Sequence, residues 1–317
     1  MAVSIVRASD HQINTSDKVS PADPFATTAT DALIEIALAA DPDGDDPLAW
    51  KATVALQSRL FELLERIPQW TESREEKRRR LAATVLGQCG IKMTLDADQC
   101  TTLLLKMLST EDSAAVIADV ISALGHLEDP RALGSVLHFH QHPESRVRFA
   151  VVYFLNGKSS DVAVSVLIER SSDGDRDVRD WAMFGLGSMI NLDTPEIRAA
   201  LAAGLDDVDD EVRGEALVGL STRGDLRVVP ALLKELNRHE PAILQGWTLI
   251  HDTAEQVMAH ASRTPTGEWE PVVSRLKELG LVRSTPDENG LPVFNVPSSA
   301  EIIPSIRAGE LFTKELP

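Results

Sequence analysis

An all-α fold of stacked helical pairs is predicted by three observations: a phrase written three times, its near-constant period, and the turn chemistry ahead of each copy. The copies run from Arg146 to Leu155, from Asp177 to Leu186 and from Glu211 to Leu220. Aligned on Val-Arg, each carries a valine, an arginine (Arg148, Arg179, Arg213), a small or β-branched residue three places on (Val151, Ala182, Ala216) and a leucine seven places on (Leu155, Leu186, Leu220). Three and seven are neighbouring positions on one helix face. The arginines stand 31 and 34 residues apart (148 to 179, 179 to 213), a period that means stacked supersecondary units rather than one compact core. Breakers precede each copy: His142-Pro143-Glu144, Ser171 to Asp175, and Asp206 to Asp210.

The phrase resembles the HEAT-like repeat family, the α-solenoid kind in which each repeat is a helix, a tight turn and a second helix opening with Val-Arg. The resemblance covers residues 113–237, and more loosely 78–280. It implies a right-handed α-solenoid of about five repeats between helical caps, with extended termini.

The elements follow in order. Residues 1–25 mix Ser, Asp, Pro and Thr without periodicity and read as a disordered leader. Residues 26–70 read as an N-terminal helical cap. It holds a short helix with Leu33, Ile34, Ala37 and Leu38, then a longer one opened by Asp46-Pro47. Leu56, Leu60, Leu63, Leu64 and Ile67 make the longer helix's apolar stripe, widened by Trp50, Val54 and Phe61, and Pro68 is expected to close it. Repeats occupy residues 71–238, the first of them divergent, with Arg79 at the arginine position and Leu86 seven places on. The next has Val116-Ile117 where Val-Arg would be. Asp129-Pro130 and Thr194-Pro195 open first helices, and Pro230 obliges its helix to kink or start late. Residues 239–280 read as a two-helix C-terminal cap, and residues 281–317 as an extended, proline-rich tail.

Composition narrows the function classes. The 317 residues are 43% apolar and carry a net charge of −18, which opposes nucleic acid and anionic membrane surfaces and suits a protein or peptide partner with a basic or neutral surface. The basic run Lys77 to Arg80 follows Glu72, Glu75 and Glu76 at helical offsets and reads as a solvated helix start laced with ion pairs. Cys89 and Cys100 lack metal-like spacing and read as reduced thiols. With no apolar run of membrane-spanning length and no secretory leader, a cytoplasmic protein is expected.

No catalytic residue, cofactor site or metal site is expected. The run His138, His140, His142 ends at Pro143, which disfavours the helical geometry needed to align two imidazoles. Among enzymes the resemblance brings in, the deoxyhypusine hydroxylases carry His-Glu pairs after Val-Arg. Here those places hold Phe149-Ala150, Asp180-Trp181 and Gly214-Glu215. The helical-repeat DNA glycosylases need a cationic groove, which this charge denies. Bilin lyases of the same repeat type lack metal ligands and stay as the enzymatic alternative.

The repeat arginines Arg148, Arg179 and Arg213 are expected to form a structural ladder, with carboxylates supplied by Asp175, Asp177, Asp209, Asp210 and Glu211. In the resembled repeats the Val-Arg helix lines the concave face. The first, second and fifth places after the arginine then look outward, and they include Phe149, Tyr153, Asp180, Trp181, Phe184, Glu215 and Val218. In a chain with 4% aromatic residues, four rings at such positions make either a recognition patch or core packing between helices. The recognition patch implies a non-catalytic scaffold or adaptor that grips a protein segment.

Overall fold

The computed structural model describes residues 25, 27–39, 46–57, 59–63, 65–88, 97–239, 248–263 and 267–281, and the elements among them are helices. The leader expected over residues 1–25, apart from Phe25, and the tail expected over residues 281–317, apart from Leu281, lie outside the described residues, as does Cys89. Cys100 is a buried free thiol. Among the described residues no helix is long and apolar enough to cross a membrane.

The described residues divide into two compact units, one up to Ala132 and one from Leu133 onward. In the first, α1 (Thr30–Ala39) packs on α2 (Pro47–Gln57) through Leu33, Ile34, Ala52 and Leu56, each nearly or fully buried. Asp46 caps α2 by accepting hydrogen bonds from the Leu48 and Ala49 amides at 2.8 and 3.3 Å. The long helix expected here is broken. It becomes α2, a single turn α3 (Leu60–Leu63) and α4 (Ile67–Thr71), and Pro68 opens α4 rather than closing a helix, as suits a residue without an N–H. Trp50 and Val54, expected to widen the stripe, are 46% and 39% exposed. Arg59 holds the strand of chain ahead of α1 by donating to the Phe25 carbonyl at 2.8 Å.

Next come α5 (Glu76–Gly87), α6 (Ala97–Thr110) and α7 (Ala114–Leu127). The Val-Arg-like helices α5 and α7 lie against each other, with Leu86, Val120 and Leu124 fully or almost fully buried. Arg80 on α5 pairs with Asp119 on α7 at 2.6 Å.

The second unit begins within α8 (Ala132–Leu137) and continues through α9 (Ser145–Leu155), α10 (Asp161–Arg170), α11 (Arg176–Phe184), α12 (Pro195–Gly204), α13 (Asp210–Thr222), α14 (Val228–Arg238), α15 (Thr248–Arg263) and α16 (Glu270–Glu278). The three copies of the repeated phrase are α9, α11 and α13, packed in series, with α10 and α12 against them. The residues before, three after and seven after each arginine are all buried at 1% exposure or less: Val147, Val151, Leu155, then Val178, Ala182, Leu186, then Val212, Ala216, Leu220. At roughly 1.5–3 kcal/mol per fully buried aliphatic side chain, this seam is the main stabilising term of the unit. Helix starts follow the sequence rules. Ser160, Asp175, Thr194 and Asp209 each accept from amides of the turn they open. Pro230 lies in the first turn of α14, so that helix starts late.

α11 does not end at Phe184 but loosens into a π-helical turn, Gly185–Met189. Two features hold it. Gly187 crosses Gly219 of α13 so closely that a Cβ at Gly219 would lie 2.8 Å from the Gly187 Cα and 2.7 Å from Leu201 Cδ2. The Arg223 guanidinium, at the end of α13, donates to the carbonyls of Leu186, Gly187, Ile190, Leu192 and Gly219 at 2.8–3.2 Å. The first four are carbonyls that a π turn and the loop after it leave without helical partners, and the fifth lies in the last turn of α13 itself.

Candidate protein-binding site

The repeat arginines frame the site. Arg148 donates through Nε and Nη2 to both carboxylate oxygens of Asp173, each at 2.8 Å, and through Nη1 to the carbonyls of His142 and Pro143 in its own turn. Arg179 does the same toward Asp207, at 2.8 and 3.1 Å, with Nη1 on the Asp173 and Gly174 carbonyls. Arg213 takes Glu235 at 2.9 and 3.2 Å, the Asp207 and Val208 carbonyls, and Asp210 as well. In the first unit Arg79 repeats the pattern with Glu111 and the carbonyls of Ser73 and Arg74.

Of the expected Asp175, Asp177, Asp209, Asp210 and Glu211, Asp210 does accept from Arg213, but the bidentate acceptors are Asp173, Asp207 and Glu235. The reason is local. Asp175 and Asp209 each use one oxygen to cap α11 and α13, and the other oxygen of Asp209 takes Arg176, while Asp173 and Asp207, two residues earlier, accept the amides of Asp175 and Asp209 at 2.9 Å and so face the preceding repeat's arginine. Burial opposes ionisation of Asp173 and Asp207. Even so, the hydrogen bonds from Arg148 and Arg179 and from those amides hold both carboxyls below the usual range.

On this frame the structure brings four rings together. Trp181 lies at their centre, 5.4 Å from Phe149 and 5.8 Å from Phe184, both edge-to-face, and 5.5 Å from Tyr153 in a tilted arrangement. Phe149 and Tyr153 are one turn apart on α9, and Trp181 and Phe184 one turn apart on α11. All four are half-buried, where a ring packed wholly in the core would be shut off from solvent. The Tyr153 hydroxyl is pushed to a higher pKa by burial. The π turn starts immediately after Phe184, so the row ends where α11 changes its pitch.

Asp180, next to Trp181, is half-buried, and among the described residues nothing donates a hydrogen bond to its carboxylate. Burial pushes its pKa up to about 7. The Arg176 charge works against that rise, and Glu211, Asp209 and Asp177 add to it. Arg176 is itself engaged by Asp177 at 2.7 Å and Asp209 at 3.0 Å. On α13 the expected site divides. Glu215 is half-buried, with Ser188 Oγ 3.4 Å from Oε2, but Val218 is only 5% exposed. Val218 therefore faces inward and is not part of a surface: α13 is packed by α11, α12, α14 and α15, which covers positions that α9 and α11 leave open. Gly214 on α13 is buried as well, and so is Ala150 on α9.

The histidine run does not assemble. His140 Nδ1 lies 2.8 Å from the Leu137 carbonyl, and His142 Nδ1 accepts from the Glu144 amide at 3.1 Å, so these rings close the end of α8. Among the described residues no group of three or more His, Cys, Asp or Glu side chains is placed to hold a metal ion.

Comparison with known proteins finds the same repeat elsewhere. The model for HEAT repeats matches residues 101–182 and 164–250. The chain carries HEAT repeats. Protein YibA of Escherichia coli K12 and that of E. coli O157:H7 are each 29% identical over 168 residues, 51% of this chain and 59% of theirs. The HEAT-repeat chain thus spans about three-fifths of the length of these relatives. The crystal structure of E. coli YibA matches with a TM-score of 0.52 at 21% identity, over 83% of this chain and 99% of that one. Two larger structures share the fold. Kap95p, solved with RanGDP, has a TM-score of 0.54 at 15% identity, over 85% of this chain and 39% of that one. The Schizosaccharomyces pombe condensin Cnd3–Cnd2 subcomplex has 0.51 at 16%, over 90% and 47%. The fold class is therefore an all-α HEAT-repeat solenoid.

Proposed function

We propose that this HEAT-repeat protein is a non-catalytic scaffold or adaptor that grips a segment of another protein on the face formed by α9 and α11. The observation that carries the reading is the half-buried row Phe149, Tyr153, Trp181 and Phe184, in which one indole touches three other rings while all four keep contact with solvent. Rigid aromatic side chains supply contact area at low entropic cost and dominate the energetics of protein interfaces. Two proteins of the same fold, Kap95p and the condensin Cnd3–Cnd2 subcomplex, are known in assemblies with other proteins, which agrees with this use of the architecture.

The test is Trp181→Ala, followed by circular dichroism melting and by selection of binders from a random dodecapeptide library. The expected result is a folded variant that no longer retains the peptides selected on the unaltered protein, an affinity loss of roughly 2 kcal/mol or more. A variant that melts early yet retains those peptides when folded would assign the rings to packing.

A further inference from the structure

Resting on that reading, we propose that the segment held on this face presents a lysine or arginine whose aliphatic stem and charge lie against Trp181, with the cation meeting the carboxylate of Asp180. Charge complementarity selects this occupant over an apolar one. Asp180 follows directly before Trp181 in α11, it is half-buried, and among the described residues no donor reaches it. Its nearest influences are Arg176 and Asp177 on its own helix and Asp209 and Glu211 at the start of α13. The one cation in that set, Arg176, is already held by Asp177 and Asp209. A half-buried carboxylate in a surplus of negative charge is a destabilising feature in the free protein, and an incoming cation would remove that cost.

The rings complete the recognition. A guanidinium or ammonium is attracted to the indole face when it lies within about 6 Å of the ring centroid, and more strongly when partly removed from water. Trp181 meets its three neighbours edge-on or tilted rather than stacked, so no partner ring lies flat on either face of the indole. The protein already uses the same chemistry internally, where Lys158 Nζ lies 4.4 Å from the centroid of the Phe154 ring. Glu215, on the next Val-Arg helix, extends the negative character along the direction in which a bound segment would run.

The experiment is selection from the same random dodecapeptide library, repeated with Asp180→Asn and with Trp181→Phe, followed by affinity measurement on synthetic copies of the selected peptides. The expected result is a set rich in lysine or arginine, with affinity falling by about tenfold for Asp180→Asn and on replacing the basic residue by norleucine. Peptides that depend on Trp181 but are not enriched in basic residues, and bind Asp180→Asn unchanged, would overturn the inference and leave the scaffold reading standing. Peptides that ignore both positions, or no peptides at all, would overturn both.

Discussion

Arg148 holds Asp173, 25 residues further along the chain, with two hydrogen bonds of 2.8 Å, and Asp173 in turn accepts the Asp175 amide that begins the next helix start. One bidentate contact thereby sets both the distance between two repeats and the conformation of the turn that opens the second. The contact recurs at Arg179–Asp207. Replacing Arg179 by alanine is expected to lower stability by about 1–3 kcal/mol, because Asp207 and two turn carbonyls lose their donor. Lysine should recover little, having no planar fork to match a carboxylate. Urea denaturation of the two variants checks this, and an unchanged midpoint for Arg179→Ala would remove the ladder from the account of stability.

Arg213 and Glu235 form the deepest pair, with side chains 2% and 3% exposed. Arg213→Ala should cost about 3–5 kcal/mol, since it strands a buried carboxylate. The double change Arg213→Met with Glu235→Leu should recover much of that loss by leaving no buried charge behind. A double-mutant cycle on melting free energies reads the difference.

The crossing of Gly187 and Gly219 predicts a third outcome. Gly219→Ala improves helix propensity by up to about 1 kcal/mol, yet its methyl group would press on Gly187 Cα and Leu201. Overpacking of this kind costs about 1–3 kcal/mol, so the net change should be destabilising and the melting temperature should fall.

Asp180 gives stability an inverted pH dependence. The folded protein keeps this proton up to about pH 7, whereas the unfolded chain releases it near the ordinary value of 3.8. Between those values the folded state binds more protons, so the contribution is fully present below about pH 4 and is lost as pH rises through 7. Asp180→Asn should therefore raise stability at pH 8 by about 1–2 kcal/mol, after allowance for solvent screening, and have little effect at pH 4. Asp173 and Asp207, held below their ordinary range, act in the opposite sense, and their contribution is lost on acidification. Denaturation curves at pH 4, 6 and 8 separate the two.

The helices were legible in the sequence because their signals are local. The seam residues around each Val-Arg, the caps at Asp46 and Thr194, and the late start at Pro230 all rest on spacings of a few residues. What was not legible depends on which helix covers which. Val218 occupies the same repeat position as Tyr153 and Phe184, but α13 has packing neighbours that bury it. Asp173 and Asp207 stand two residues before the expected Asp175 and Asp209, because several acids crowd each turn and the capping geometry decides which one faces the repeat arginine. The π turn has its own cue in Gly185 and Gly187, but its clamp, Arg223, is more than thirty residues away. The break between α2 and α4 was hidden by an apolar stripe that runs on through it.

The ladder contacts point one way along the chain, from the arginine of one repeat to an acid of the stretch that follows. A segment cut from residue 173 through 206 therefore carries one arginine, Arg179, whose acid Asp207 lies ahead of it, and one acid, Asp173, offered to Arg148 behind it. Copied or deleted as a block, such a segment rejoins its neighbours with every charge still matched. A gene assembled from these blocks can lengthen or shorten without inventing a new interface. The same arrangement makes truncation asymmetric: removing the following block leaves an arginine that water can solvate, while removing the preceding one exposes a seam and takes from its acid the guanidinium that helps to keep it ionised.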